Sequence, residues 1–118
     1  MKRQVLVEYI RNEYGVEPDC PFRDDDTSLV FRHPGNRKWF ALIMTITADK
    51  LGLSGTEIMD IVNLKCDPAL IGAVRDQQVV FAAYHMNKSH WVSVLLTEAA
   101  HDDLVSNLVD VSYSLTKK

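Results

Sequence analysis

The side chains best equipped for chemistry lie between Tyr84 and Trp91, where His85, Asn87, Lys88 and His90 crowd one short link. They donate hydrogen bonds, carry positive charge and stack, which suits contact with an anion or a planar ring. A link that only turned the chain would draw on Gly, Asn, Asp or Pro. A second cationic group, Arg32, Arg37 and Lys38, brackets the turn sequence His33-Pro34-Gly35-Asn36, and Lys65 stands apart. Arg and Lys in such loops match phosphate oxygens, and a hairpin ribbon is narrow enough to enter a nucleic-acid groove. The leading expectation is a non-catalytic nucleic-acid-binding module that contacts phosphates through Arg32, Arg37, Lys38, Lys65 and Lys88. His85, Asn87, His90 and Trp91 would shape that surface. A rival is a small-molecule or anion pocket lined by His85, His90, Lys65 and Tyr113, and a third is a protein-interaction adaptor. Exposed hairpins also carry charge for solubility and to blunt sheet edges. The choice turns on whether the two loops share a face.

Other chemistries are less well supplied. His85 and His90 lie five apart, with His33, Cys20, Cys66 and Asp67 elsewhere, and no HExxH or Cys/His ligand spacing occurs, so neither metal nor cofactor is expected. Cys66 adjoins Lys65 and an expected helix start, a setting that lowers a thiol pKa, with His85 or His90 as a candidate base. No third orienting residue can be named, and a small buried cysteine fills the same junction without chemistry. Catalysis is not expected.

The chain has 118 residues, enough for a single domain over 1–118. Its formal net charge of −3 argues against a uniformly cationic surface but not against a local positive one. Cys20 and Cys66 form no CxxC pair, so a disulfide framework is not expected. Glu8 and Arg11 interrupt the apolar start that a signal peptide needs, and no apolar run is long enough to span a membrane. A cytoplasmic protein is expected, of a composition that leaves its oligomeric state open.

Periodicity supplies the elements that must hold these residues. Val5, Leu6, Tyr9 and Ile10 predict an amphipathic helix over 2–14, stopped by Gly15. Pro18, Pro21 and the acidic run Asp24-Asp25-Asp26 mark a solvated loop. Leu29–Arg32 and Lys38–Thr47 read as a hairpin whose second strand is apolar on both faces. A third strand is expected over Ile58–Lys65, then a helix from Pro68 to about Asp76 with Asp67 as its cap. Val79–Tyr84 and Trp91–Leu96 read as two more strands. Leu104, Leu108, Val111 and Leu115 trace the apolar stripe of a last helix over Ala99–Leu115. The order predicts an α+β two-layer domain with a largely antiparallel sheet of about five strands.

The run Asn63-Leu64-Lys65-Cys66-Asp67-Pro68, and Tyr84-His85-Met86-Asn87-Lys88 followed by His90-Trp91, resemble the MmcQ/YjbR-like family of small bacterial proteins. Pro21-Phe22, Lys38-Trp39-Phe40-Ala41 and Ser112-Tyr113 fit the same pattern in the same order. The resemblance implies a compact fold similar to frataxin-like proteins and, through a "double-wing" analogy, DNA binding. That implication rests on fold likeness alone. The sequence departs from the family pattern between Ala48 and Met59, where it is longer and carries Leu51-Gly52-Leu53, so a surface there is expected to be reshaped.

Overall fold

A computed structural model describes residues 1–97 and 101–118. Helix α1 (Arg3–Tyr14) leads into strands β1 (Leu29–Arg32), β2 (Trp39–Thr47) and β3 (Ile58–Lys65), with a 3-10 turn over Ala48–Leu51. The short helix α2 (Ile71–Val74), strands β4 (Val80–Ala82) and β5 (Trp91–Leu96), and helix α3 (Asp102–Thr116) complete the order. The five strands form one sheet in the order β1-β2-β3-β5-β4, every neighbouring pair antiparallel. The expected α+β sheet with helices at the start, middle and end is thus present.

One face of the sheet carries α1 and α3. Leu6 and Ile10 of α1, and Val105, Leu108 and Val109 of α3, pack on Phe31, Ala41, Ile43, Val62, Leu64, Val92 and Val94. Gly15 ends α1 with φ 66°, its amide returning to the Arg11 carbonyl at 2.9 Å, a conformation glycine adopts without a Cβ clash. Tyr9 and Tyr14 each donate a hydroxyl proton to Asp110 of α3, which clasps the two helices together. Burial, and then the Asp110 carboxylate, push the Tyr9 phenol up to about 12.

The other face is covered by the chain itself. Ile46, Ile61 and Phe81 rise from it to meet Leu51 of the 3-10 turn, flanked by Met44, Leu53, Met59, Tyr84 and Leu95. A strand covered on both sides is what the two apolar faces of β2 require.

Two expectations about helices are corrected. The helix expected from Pro68 to Asp76 shrinks to Ile71–Val74: the Asp67 carboxylate does accept the Ala69 amide as a cap would, but residues 68–70 form turns and Arg75 turns extended with ψ 114°. On α3 the buried side is Val105, Leu108, Val109, Ser112 and Thr116, so Leu104, Val111 and Leu115 of the expected stripe are exposed. The buried Ser112 and Thr116 spend their hydroxyls on backbone carbonyls, which lets a polar face approach the sheet. The expected helix start at Ala99 lies outside the described residues.

Candidate nucleic-acid interface

The two cationic loops are brought to one end of the sheet. β1 ends at Arg32, β2 begins at Trp39, β3 ends at Lys65 and β5 begins at Trp91, so the 33–38 turn and the 83–90 link flank the same edge of the sheet. Arg32 pairs with Trp39, and Lys65 with Trp91. Their neighbours Phe31, Phe40, Leu64 and Val92 all face the helices, so strand alternation sends Arg32, Trp39, Lys65 and Trp91 out on the helix-free face. A row of alternating cation and indole results, each member half-buried. At one strand spacing per step, the backbones of the two tryptophans stand about 10 Å apart with Lys65 on the strand between them.

Each member of the row has its own support. The Arg32 guanidinium lies 5.6 Å from the Trp39 ring centroid and pairs with Asp19 at 3.1 Å. Asp19 therefore already offsets part of the Arg32 charge. Phe22 meets Trp39 edge-on at 6.1 Å. The backbone amide of Lys65 donates to the Ser112 hydroxyl at 2.9 Å, which fixes where its side chain leaves the strand. The ion pairs among the described residues engage Arg3, Arg11, Arg32 and the N-terminal amine, and do not engage Arg37, Lys65 or Lys88.

The 33–38 turn is pinned to the C-terminus of α3. Asn36 donates to the carbonyls of Thr116 at 2.9 Å and Lys118 at 3.2 Å, and the Lys38 ammonium donates to the Lys118 carbonyl at 2.7 Å. These bonds satisfy carbonyls that a helix end leaves open, and place a cation where the helix dipole favours it. They also bring the Lys118 backbone against Lys38, while the Lys117 ammonium lies 5.6 Å from the Tyr113 ring on the helix side.

His33 is buried beneath this turn. The Thr116 hydroxyl gives its proton to the Ser112 carbonyl, so His33 Nε2, 2.8 Å from Thr116 Oγ1, is the donor of that contact. Burial first, and then Lys117 and Lys38, lower its pKa from 6.5. The unfolded chain therefore binds the proton more readily than the native one. The stability linked to His33 is complete above its unfolded pKa and is lost as pH falls from there toward the depressed folded value. Thermal melting between pH 8 and pH 5 is expected to fall more steeply for the wild type than for His33→Gln, whose amide can still reach Thr116. Parallel curves would remove His33 from this role.

The 83–90 link is held from within. Asn87 accepts the Ser89 amide on its side chain at 2.8 Å, and its carbonyl accepts the amides of His90 and Trp91. Asn87 is thus a turn residue, while His85, Lys88 and His90 are exposed. The His90 carbonyl accepts the Cys66 amide at 2.8 Å, tying the link to the end of β3. Deeper in, Asn63 and Ser93 are wholly buried and anchor the link at Tyr84. Asn63 was read as a strand residue and part of the family-like run, and Ser93 as a strand residue alone, although a polar side chain amid β-branched neighbours is a usable signal.

Two expectations about chemistry change. Tyr113 lies in the helix layer, stacked on Tyr14 at 3.9 Å and 4.4 Å from the His33 ring, whereas Lys65 and the link occupy the opposite face. His85, His90, Lys65 and Tyr113 therefore do not line one pocket. The Cys66 thiol is buried, and burial followed by the neighbouring Asp67 carboxylate pushes its pKa up. With α2 beginning only at Ile71, no helix dipole acts on Cys66 to oppose that shift.

Comparison with known proteins places the chain among relatives that it matches over most of its length. A family model described as YjbR matches residues 12–115. The chain is 35% identical over 117 residues to "Uncharacterized protein YyaQ" of Bacillus subtilis (strain 168), covering 99% of each chain. A crystal structure of a Pseudomonas syringae protein matches with a TM-score of 0.91 and 39% identity, over 98% of this chain and 99% of that one. A Deinococcus radiodurans protein described with a DUF419 domain matches with a TM-score of 0.69 and 27% identity, over 95% of this chain and 78% of its own.

Proposed function

The chain belongs to the YjbR family, and from that premise we propose that its cationic sheet end binds nucleic acid. The carrying observation is the row Arg32, Trp39, Lys65 and Trp91, flanked on one side by Arg37 and Lys38 and on the other by Lys88. Cations of this kind take phosphates, and an indole stacks on a base of any identity. A backbone crossing the sheet end would meet indole, ammonium and indole in turn. Half-buried rings suit flat stacking and offer no helix or ribbon to reach deep into a major groove. The reading is therefore of DNA binding without strong sequence preference, favouring unpaired bases.

The test is a fluorescence-anisotropy titration of short single- and double-stranded DNA across a salt series. The variant for comparison is Arg37→Asn/Lys65→Gln/Lys88→Gln. Arg37 has φ 63°, and Asn tolerates that conformation better than Ala. Losing three phosphate contacts should flatten the log–log salt slope by about 2 on single strands and weaken binding at low salt by about tenfold or more. Trp91→Leu should weaken single-strand binding with the salt slope unchanged. Negligible binding by the folded wild type at low salt would overturn the reading.

A further inference from the structure

We propose that a second site, on the helix-free face away from the cationic row, binds a small amphipathic anion such as an aromatic carboxylate or sulfonate. A groove of about 420 Å³ opens there between the 83–90 link and the 3-10 turn, within the range of small-molecule sites. Met44, Ile46 and Ile58 supply apolar surface, and Tyr84, His85 and Lys50 supply polar groups. Ile58, at the rim between this groove and the cleft beside α1, keeps 73% of its surface exposed.

Charge decides the class of ligand. Lys50 and His85 both line the groove, and among the described residues no carboxylate does. Among the described residues, no ion pair engages Lys50. The adjacent Asp49 carboxylate accepts the Thr47 hydroxyl, and that bond, with the Lys50 charge beside it, holds its pKa below the usual carboxylate value. The polar wall is also set in advance. His85 holds φ 60°, left-handed backbone that a non-glycine residue adopts at a cost, and its ring lies 3.9 Å from that of Tyr84. Tyr84 is in turn bonded through its backbone to Asn63 and Ser93.

A larger cleft of about 670 Å³ beside α1 lacks this character. Its Arg3 guanidinium is already bonded to the Thr27 carbonyl, Thr45 and Asp60. An anion entering there would have to displace an internal carboxylate. In the groove of Lys50 and His85 it would meet the Lys50 ammonium, an imidazole, neutral polar side chains and apolar surface.

The probe is 8-anilinonaphthalene-1-sulfonate, compared with N-phenyl-1-naphthylamine, which keeps the apolar rings without the charge. Saturable sulfonate binding to the folded protein is expected, with amide shifts confined to residues 44–47, 50, 58 and 84–85. Lys50→Glu should weaken the sulfonate by about tenfold and leave the neutral amine unchanged, since it reverses one partly desolvated charge contact. His85→Asn, which tolerates the same backbone, should weaken the sulfonate by about threefold. Ile58→Asp should weaken both probes. Shifts spread over the surface, no saturable binding, or a Lys50→Glu variant with wild-type sulfonate affinity would each overturn the proposal. None of these outcomes depends on whether the cationic row binds DNA.

Discussion

Ser112→Ala is expected to lower the unfolding free energy by about 2–4 kcal/mol, although it removes a single oxygen. β2 and β3 run in register from Thr47 opposite Ile58 to Ala41 opposite Leu64. Beyond that point the β1–β2 register shifts, with Phe31 opposite Ala41 but Arg32 opposite Trp39, so Phe40 is an extra residue in β2. The Ser112 hydroxyl enters at the gap. It donates to the Phe40 carbonyl at 2.6 Å and accepts the Lys65 amide at 2.9 Å, joining the two strands where the ladder is interrupted. Alanine would leave one buried backbone donor and one acceptor without partners, the costly direction of losing a hydrogen bond. Urea unfolding should show a lower midpoint with unchanged m, and hydrogen exchange should show the Lys65 amide losing protection before its neighbours in β3. A loss below about 1 kcal/mol would mean that water replaces the hydroxyl and that the serine is not the link.

The bulge also explains how the cationic row comes to exist. Without an extra residue, Trp39 and Phe40 would exchange faces, and the phenyl ring that now meets Tyr14, His33 and Tyr113 would point away from them. Sequence alone exposed the strand but not this inversion, since apolar residues on both faces look the same in either register. β1, β3 and β5 were legible to the residue because strong β-formers end at turn residues or charges. The common end of the two loops was not legible. It depends on β5 inserting between β3 and β4, while the chain order alone gives no sign of that insertion. The buried side of α3 was misread for a related reason. Two apolar stripes run along that helix, and the one that packs includes Ser112 and Thr116, which a hydrophobic pattern counts as polar. The cationic residues themselves were visible from the start, because loops advertise charge. Their ties to Asp19, Thr116 and Lys118 required the fold.

Asn63→Ala is expected to cost about 2–3 kcal/mol and to weaken both candidate sites together. Asn63 is wholly buried at the centre of β3, on the face that the 83–90 link covers. Its Nδ2 donates to the Tyr84 carbonyl at 3.0 Å, and its Oδ1 accepts the Ser93 hydroxyl at 2.5 Å. Ser93 Oγ in turn accepts the Tyr84 amide at 2.9 Å, closing a ring that satisfies both backbone groups of Tyr84. An apolar side chain of similar size would pack there, but it could not hold a loop that lies across the sheet instead of pairing within it. The ring therefore sets the position of the link, with His85 on the groove side and Lys88 beyond it. Because the groups act as a unit, Ser93→Ala should lose much of the same energy, and the double variant should lose less than the two single losses added. Additivity within about 0.3–0.5 kcal/mol would show the two bonds to be independent. If they are coupled, Asn63→Ala should weaken DNA and sulfonate binding in parallel while the protein stays folded at low temperature. A variant that loses stability but keeps both affinities would show that the link is positioned by its own turn at Asn87, and that this buried ring serves the core alone.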